Sequence, residues 1–184
     1  MIDKKILYND TIGCVEYVQH MGNDLTIVNA ARVSFGVNKN EVDERDKRLI
    51  RYLVKNRHTS TLEHNVITFK FTVPLFVRAQ HHRHRTWSYN EISRRYTDVN
   101  IRFYEPKDFR TQHKSNRQAS NENDTINPQI NTYSPACSQP VTRLASDLIK
   151  SYHKDALKLF DDLIDAGVCR EQARGVLPQN LYTE

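Results

Sequence analysis

The sequence predicts one domain that mixes amphipathic helices with a few strands, and three observations carry that reading. Asn65 to Val73 alternates, with Ile67, Phe69, Phe71 and Val73 on one face and Val66, Thr68, Lys70 and Thr72 on the other, the period of a half-buried strand. Two longer segments, Glu41 to Asn56 and Val141 to Ala166, repeat apolar residues at the helical period instead. A length of 184 residues suffices for one core and is short for two.

Taken in order, Val15 to His20 reads as a short strand. Gly22-Asn23-Asp24 then offers a turn and a helix N-cap before Leu25, Val28, Ala31 and Phe35 at helical spacing. In the helix from Glu41 to Asn56, Leu49, Ile50, Leu53 and Val54 form the apolar stripe. The pairs Glu41/Arg45, Asp43/Lys47 and Glu44/Arg48 lie four apart on its polar side. Pro74 ends the alternating strand and is suited to open a helix through Phe76, Val77 and Gln80, with a loop beyond it. From about Arg110 to Pro140 the chain is rich in Gln, Asn and Ser around Pro128, Pro135 and Pro140, which predicts a mobile insertion without packed structure. The helix from Val141 follows Leu144, Leu148, Tyr152, Leu159 and Leu163 and closes at Gly167. A short helix from Arg170 to Gly175 stops before Pro178, and no internal repeat is visible.

Composition narrows the class of protein. Hydrophobic residues make up 38% of the chain and the mean hydropathy is -0.71, low enough that a cofactor or partner subunit is expected to add stability. A formal charge of +5 and a pI near 9.1 favour anionic ligands without choosing between nucleotide and nucleic acid. Cys14, Cys137 and Cys169 are far apart and none has metal-ligand spacing to another Cys or His, which suits a reducing cytosol. With no apolar run for export or for crossing a bilayer, the expectation is a cytoplasmic protein without a membrane role.

The chemistry concentrates in His81-His82-Arg83-His84-Arg85 and the segment that follows, Thr86 to Tyr96. Arg83, Arg85, Arg94 and Arg95 carry fixed positive charge; Ser88, Asn90, Ser93 and Tyr96 add neutral hydrogen-bonding groups and Glu91 an acceptor. A metal site fits poorly, because Arg83 and Arg85 flank the one-turn pair His81 and His84 and no carboxylate set completes a shell. Three readings stay open on residue chemistry alone: a pocket for a phosphorylated planar ligand, a nucleic-acid patch, and a solvated charged face.

The wider pattern resembles a known family. Arg83-His84-Arg85, seven residues, then Ser93 is similar to the motif of the flavin-dependent thymidylate synthases, also called ThyX. The resemblance extends through Met21-Gly22-Asn23-Asp24, Ala30 to Phe35, Glu63-His64, Gln80, Ser88 to Glu91, Arg95-Tyr96, Ala173-Arg174, Leu177-Pro178 and Asn180 to Thr183. It implies an α+β subunit with a small antiparallel sheet, in a homotetramer with shared active sites. The implied reaction methylates dUMP to dTMP, with methylenetetrahydrofolate giving the carbon and NADPH-reduced FAD the hydride, and without a cysteine nucleophile.

By the same resemblance, Ser60, Arg83, His84, Arg85 and Glu91 are FAD-binding positions. Gln80, His81, His82, Arg83, Glu91, Ile92, Ser93, Arg94, Arg95 and Arg174 are substrate-binding positions, with Ser93 and Arg95 near the phosphate. Catalytic roles fall to His58, Arg83, Ser93 and Arg174, although His58 also reads as an ordinary loop histidine. Two departures stand out. The family has aromatic residues where this chain has His81 and His82, and it continues beyond the segment that ends here at Glu184. The expectation is that the Leu-Tyr-Thr end is short of packing partners, and that a second polypeptide is one possible source of the remaining residues.

Overall fold

A computed structural model describes residues 3–133 and 140–184, so Pro135 and Cys137 lie outside the described residues. Along the chain the strands and helices are β1 (Lys4–Ile6), β2 (Cys14–Met21), α1 (Asp24–Arg32), α2 (Glu44–Lys55), β3 (Val66–Pro74) and α3 (Leu75–His81), followed by β4 (Phe109–Gln112), β5 (Ser120–Ile126), β6 (Gln129–Thr132), β7 (Val141–Leu144), α4 (Ala145–Asp165), α5 (Arg170–Ala173) and β8 (Tyr182–Thr183). Three single 3₁₀ turns lie at Val33–Phe35, Thr59–Thr61 and Arg174–Val176. The class is α+β, with antiparallel pairing in β3–β8, β4–β5 and β6–β7. The chain packs as two compact units: Met1–Lys5 with Val15–Lys70, and Ile6–Cys14 with Phe71–Glu184.

In the first unit β2 lies between β1 and β3. Gly22 turns the chain out of β2 at φ +85°, where a side chain would meet Asn65 at 2.2 Å. Asn23 then caps α1: its carboxamide accepts from the Thr26 N–H at 3.1 Å, and the Thr26 hydroxyl accepts from the Asn23 N–H at 3.1 Å. The helix ends at Arg32, so Phe35 falls on the following 3₁₀ turn and is 82% exposed instead of completing an apolar stripe. Asp43 and Asp46 form the same reciprocal cap on α2, which therefore begins at Glu44 and not Glu41. Capping occupies Asp43, and its ion pair is to Lys39 at 2.8 Å rather than to Lys47, which pairs with Glu44 at 2.6 Å. Of the expected stripe only Leu53 is buried; Val54 is exposed.

The strand β3 passes from the first unit into the second and does not alternate as its sequence suggests. Val66 and Ile67 are exposed alike, whereas Thr72, Val73 and Pro74 are all buried, at the end of the strand that pairs with β8. Leu181 and Tyr182 reach this strand by a dense set of backbone bonds. Leu75 N–H donates to Leu181 at 2.9 Å, Tyr182 N–H to Arg102 at 2.8 Å, and Ile92 N–H to Glu184 at 2.9 Å. The Leu-Tyr-Thr segment is thus well packed, with Leu181, Tyr182 and Thr183 each buried.

Phe160, Ala173, Leu177 and Leu181 form the core of the second unit. On α4 the buried face is His153, Ala156 and Phe160, while Tyr152 and Leu159 point outward. His153 stacks on Phe103 at 4.6 Å and places Nδ1 3.0 Å from Glu105, a polar contact that an apolar count overlooks. The helix begins at Ala145 because Val141 to Leu144 pairs with Gln129 to Thr132. This is the larger correction: the segment expected to be mobile and unstructured holds two antiparallel ladders. Polar side chains help join them, as Thr111 donates to Asp124 at 2.6 Å and Thr142 to Asn131 at 2.8 Å across the strands.

Candidate functional site

Pro74, with φ near −65°, presets the entry to α3, which carries the basic cluster at its far end. The chain turns immediately beyond it, with Arg83 N–H donating to Gln80 and His84 N–H to His81. The Tyr89 hydroxyl reaches both the His81 and His84 carbonyls, at 3.0 and 2.9 Å, and shares its one proton between them. Rings fill the inside of this turn. His81 lies 4.8 Å from Phe71, 5.1 Å from Trp87 and 5.7 Å from Tyr89, while His82 lies 4.2 Å from Tyr89. The two histidines thus stand in as aromatic packing groups. Burial, with the nearby His84 and His82 adding to it, lowers the His81 pKa and favours its neutral ring. Gln80, Arg83, His84 and Arg85 are exposed on the turn, and the Arg83 and Arg85 head groups make no described hydrogen bond or ion pair.

An open cleft of about 630 Å³ lies in the same unit. It gathers Arg78 from α3, Glu91 to Arg94 from the loop, Glu171 and Arg174 from the α5 region, and Gln179 and Thr183 from the last segment. The structure therefore brings Glu91, Ile92, Ser93, Arg94 and Arg174 together, whereas Gln80, Arg83, His84, Arg85 and Arg95 do not line this space. Glu91 Oε1 accepts from the Thr183 hydroxyl at 2.6 Å and lies 3.0 Å from Arg78 Nε, an ion pair whose N–H is not aligned along the contact. The Ser93 carbonyl accepts from Tyr96 and Thr97 N–H, which closes a tight turn after it. Arg94 is 8% exposed; Nη1 donates to the Val99 carbonyl at 2.8 Å and Nε has no partner. Burial lowers the Arg94 pKa, against the opposing pull of Asp98 and Glu184. Arg174 is exposed, and among the described residues its side chain is anchored by Nε to the Glu171 carbonyl at 3.3 Å. Arg95 rests over the Tyr96 ring at 5.6 Å.

Sequence reasoning missed Arg78 and Thr183. Arg78 lies outside the contiguous basic run, although helical spacing sets it one turn before His81 and His82. Thr183 approaches Glu91 only through the fold, and the resemblance over Asn180 to Thr183 gave it no site role.

In the first unit His58 and Ser60 occupy the turn after α2. Arg57 adopts φ +56° to end that helix, and His58 N–H donates back to Leu53 at 2.9 Å. The His58 ring stands edge-on to Tyr52 at 5.9 Å, and both His58 and Ser60 are exposed. In the second unit the exposed Arg83 and Arg85, without a described partner, are donors of the kind that fit phosphate groups. Among the described residues no group of three or more His, Cys, Asp or Glu is placed to hold a metal ion, and no helix is long and apolar enough to cross a membrane.

Fold and cleft define an α+β protein with an arginine-lined site suited to an anionic, hydrogen-bonding ligand. Residues 16–184 match the family model described as thymidylate synthase complementing protein, and the chain belongs to that family. It is 43% identical over 172 residues to a flavin-dependent thymidylate synthase of Thermus thermophilus, covering 94% of this chain and 57% of the relative. The corresponding enzyme of Thermosipho africanus is 37% identical, with 94% and 69% covered. Among solved structures, the UMP/dUMP methylase PolB of Streptomyces cacaoi bound with 5-Br dUMP superposes with a TM-score of 0.67 at 32% identity, covering 92% of this chain and 69% of that one. The chain thus spans little more than half the length of the Thermus relative.

Proposed function

We propose that this chain carries the nucleotide- and flavin-binding part of an FAD-dependent thymidylate synthase. The reaction methylates dUMP to dTMP, with methylenetetrahydrofolate as carbon donor and NADPH as the ultimate source of hydride. The observation that carries the reading is the convergence of Glu91, Ser93, Arg94 and Arg174 on one cleft of about 630 Å³, a volume typical of small-molecule sites. Family membership and likeness to a methylase bound with 5-Br dUMP support the choice of nucleotide.

The residue types suit the chemistry. Uracil C5 is a poor nucleophile and no cysteine is among the described residues that line the cleft, so activation falls to charged donors that stabilise negative charge on the ring oxygens. Arg174, exposed and lightly anchored, is free to turn its guanidinium toward a ligand. Ser93 and Arg95 are assigned to the phosphate, and Gln80 and Arg83 to the nucleotide as well. For the cofactor, Arg83, His84 and Arg85 are assigned to FAD in the second unit, and Ser60 and His58 in the first. When bound, reduced FAD supplies the hydride. The proposal includes a homotetramer with shared sites, supported by the apolar side chains Val18, Met21, Val66 and Ile67, which the first unit leaves more than half exposed.

Purified protein mixed with FAD should retain oxidised-flavin absorbance after gel filtration and should bind dUMP by calorimetry. With the folate donor and NADPH present, tritium release from [5-³H]dUMP reports turnover. Protein that retains no flavin and binds no dUMP overturns the proposal.

A further inference from the structure

Glu91 is the one carboxylate of the basic loop, and both contacts that the structure gives its side chain fall on the same oxygen. The Thr183 hydroxyl donates to Oε1 at 2.6 Å, and Arg78 Nε lies 3.0 Å from that same atom. Oε2 has no described partner. Arg78, Glu91 and Thr183 all line the cleft, together with Ser93 and Arg174. A flexible carboxylate in an open cleft would otherwise sample several rotamers, and a loop residue has no regular element to fix it.

We propose that Arg78 and Thr183 are positioning residues that clamp Glu91 through Oε1, so that Oε2 is presented to a hydrogen-bond donor of the bound nucleotide. The inference rests on the nucleotide-binding reading above and deepens it. It assigns to a helix residue outside the basic run, and to a threonine far along the chain, a joint effect on one acceptor.

The two contacts divide the task. Thr183 supplies a short, directional neutral donor from β8, whose place is fixed by the backbone pairing of Val73 with Thr183. Arg78 supplies charge from the last turn of α3, and its side chain is 34% exposed against 28% for Glu91, so the pair is neither dry nor fully screened. An Arg78 that merely filled space would be replaceable by any long side chain. A clamp requires a cation or a donor at that place.

A double-mutant cycle separates the alternatives. Binding of dUMP to the full chain with FAD present is measured by calorimetry for wild type, Arg78→Gln, Glu91→Gln and the double variant, with Arg78→Lys and Thr183→Val alongside. The clamp predicts that Arg78→Gln weakens dUMP binding about tenfold, the scale of a lost charge-assisted contact, and that Arg78→Lys recovers most of it. In the Glu91→Gln background the Arg78→Gln change should cost less than about twofold, because its effect runs through Glu91. Thr183→Val should also weaken binding, and circular dichroism melting confirms that each variant folds. Costs of Arg78→Gln and Glu91→Gln that simply add, or an Arg78→Gln variant that binds like wild type, overturn the clamp while leaving nucleotide binding in place. Wild type that binds no dUMP overturns the underlying reading and the clamp with it.

Discussion

Asp46 is fully buried in the first unit, yet it is ionised by design of its surroundings. Its carboxylate receives Lys39 Nζ, Arg32 Nη2 at 2.6 Å and the Asp43 N–H at 3.1 Å. The Lys39 hydrogen bond is the largest influence; burial opposes it, and the Asp43 and Arg32 contacts add to it, so the pKa is held well below the ordinary carboxylate range. A folded-state pKa below the unfolded value means stability that is fully present above about pH 3.9, the ordinary Asp value, and is lost as pH falls further toward the folded value. Asp46→Asn should therefore melt several degrees below wild type at pH 7, with the gap closing as both are titrated below about pH 4. Thermal melts across that range check it; a gap that is unchanged at low pH contradicts the assignment. Arg32 belongs to the Ala30 to Phe35 stretch of the family resemblance, and its described ion pair is this structural one.

At the scale of elements, the joint between β2 and α1 depends on Gly22 and Asn23. At φ +85° an L side chain is strained, and an added Cβ would lie 2.2 Å from Asn65 Oδ1 and 3.0 Å from the His64 carbonyl. The Asn65 side chain can swing away, but the backbone carbonyl of His64 cannot. Gly22→Ala should therefore destabilise the protein by about 1–3 kcal/mol, the usual cost of a forced left-handed residue, and urea denaturation reads it. A change under about 0.5 kcal/mol would mean that the joint relaxes freely. The cap on α1 was legible as Asn23 because capping is a local interaction, whereas the cap on α2 was not, since Asp43 also fits an i,i+4 pair with Lys47 in a helix begun at Glu41. The start of α4 was not, since Val141 to Leu144 has the same apolar period as the helix it precedes, and only pairing with Gln129 to Thr132 makes it a strand.

For the whole molecule, low apolar content and a large set of exposed apolar residues point to stability that depends on what binds. If FAD and dUMP bind the folded chain and not the unfolded one, each at a hundred times its dissociation constant adds about 2.7 kcal/mol. The melting temperature should accordingly rise with each ligand, and light scattering with FAD should give the mass of a tetramer. A melting temperature indifferent to both ligands contradicts the proposed assembly and site together.

Contiguous chemistry and local periodicity determined much of this protein from its sequence: the existence of the helix before Gly167, the Asn23 cap, the strand at Val66 and the basic loop from Arg83 to Ser93. These features depend on neighbours a few residues apart, and a linear reading resolves such neighbours. The tertiary structure alone decided that Arg174 shares a cleft with Ser93, that Thr183 and Arg78 meet at Glu91, that Asp46 is buried among cations, and that an amide-rich segment pairs into ladders. Each of those outcomes requires chain segments far apart in sequence to meet, and the hydrogen bonds and ion pairs that stabilise them exist only once they do.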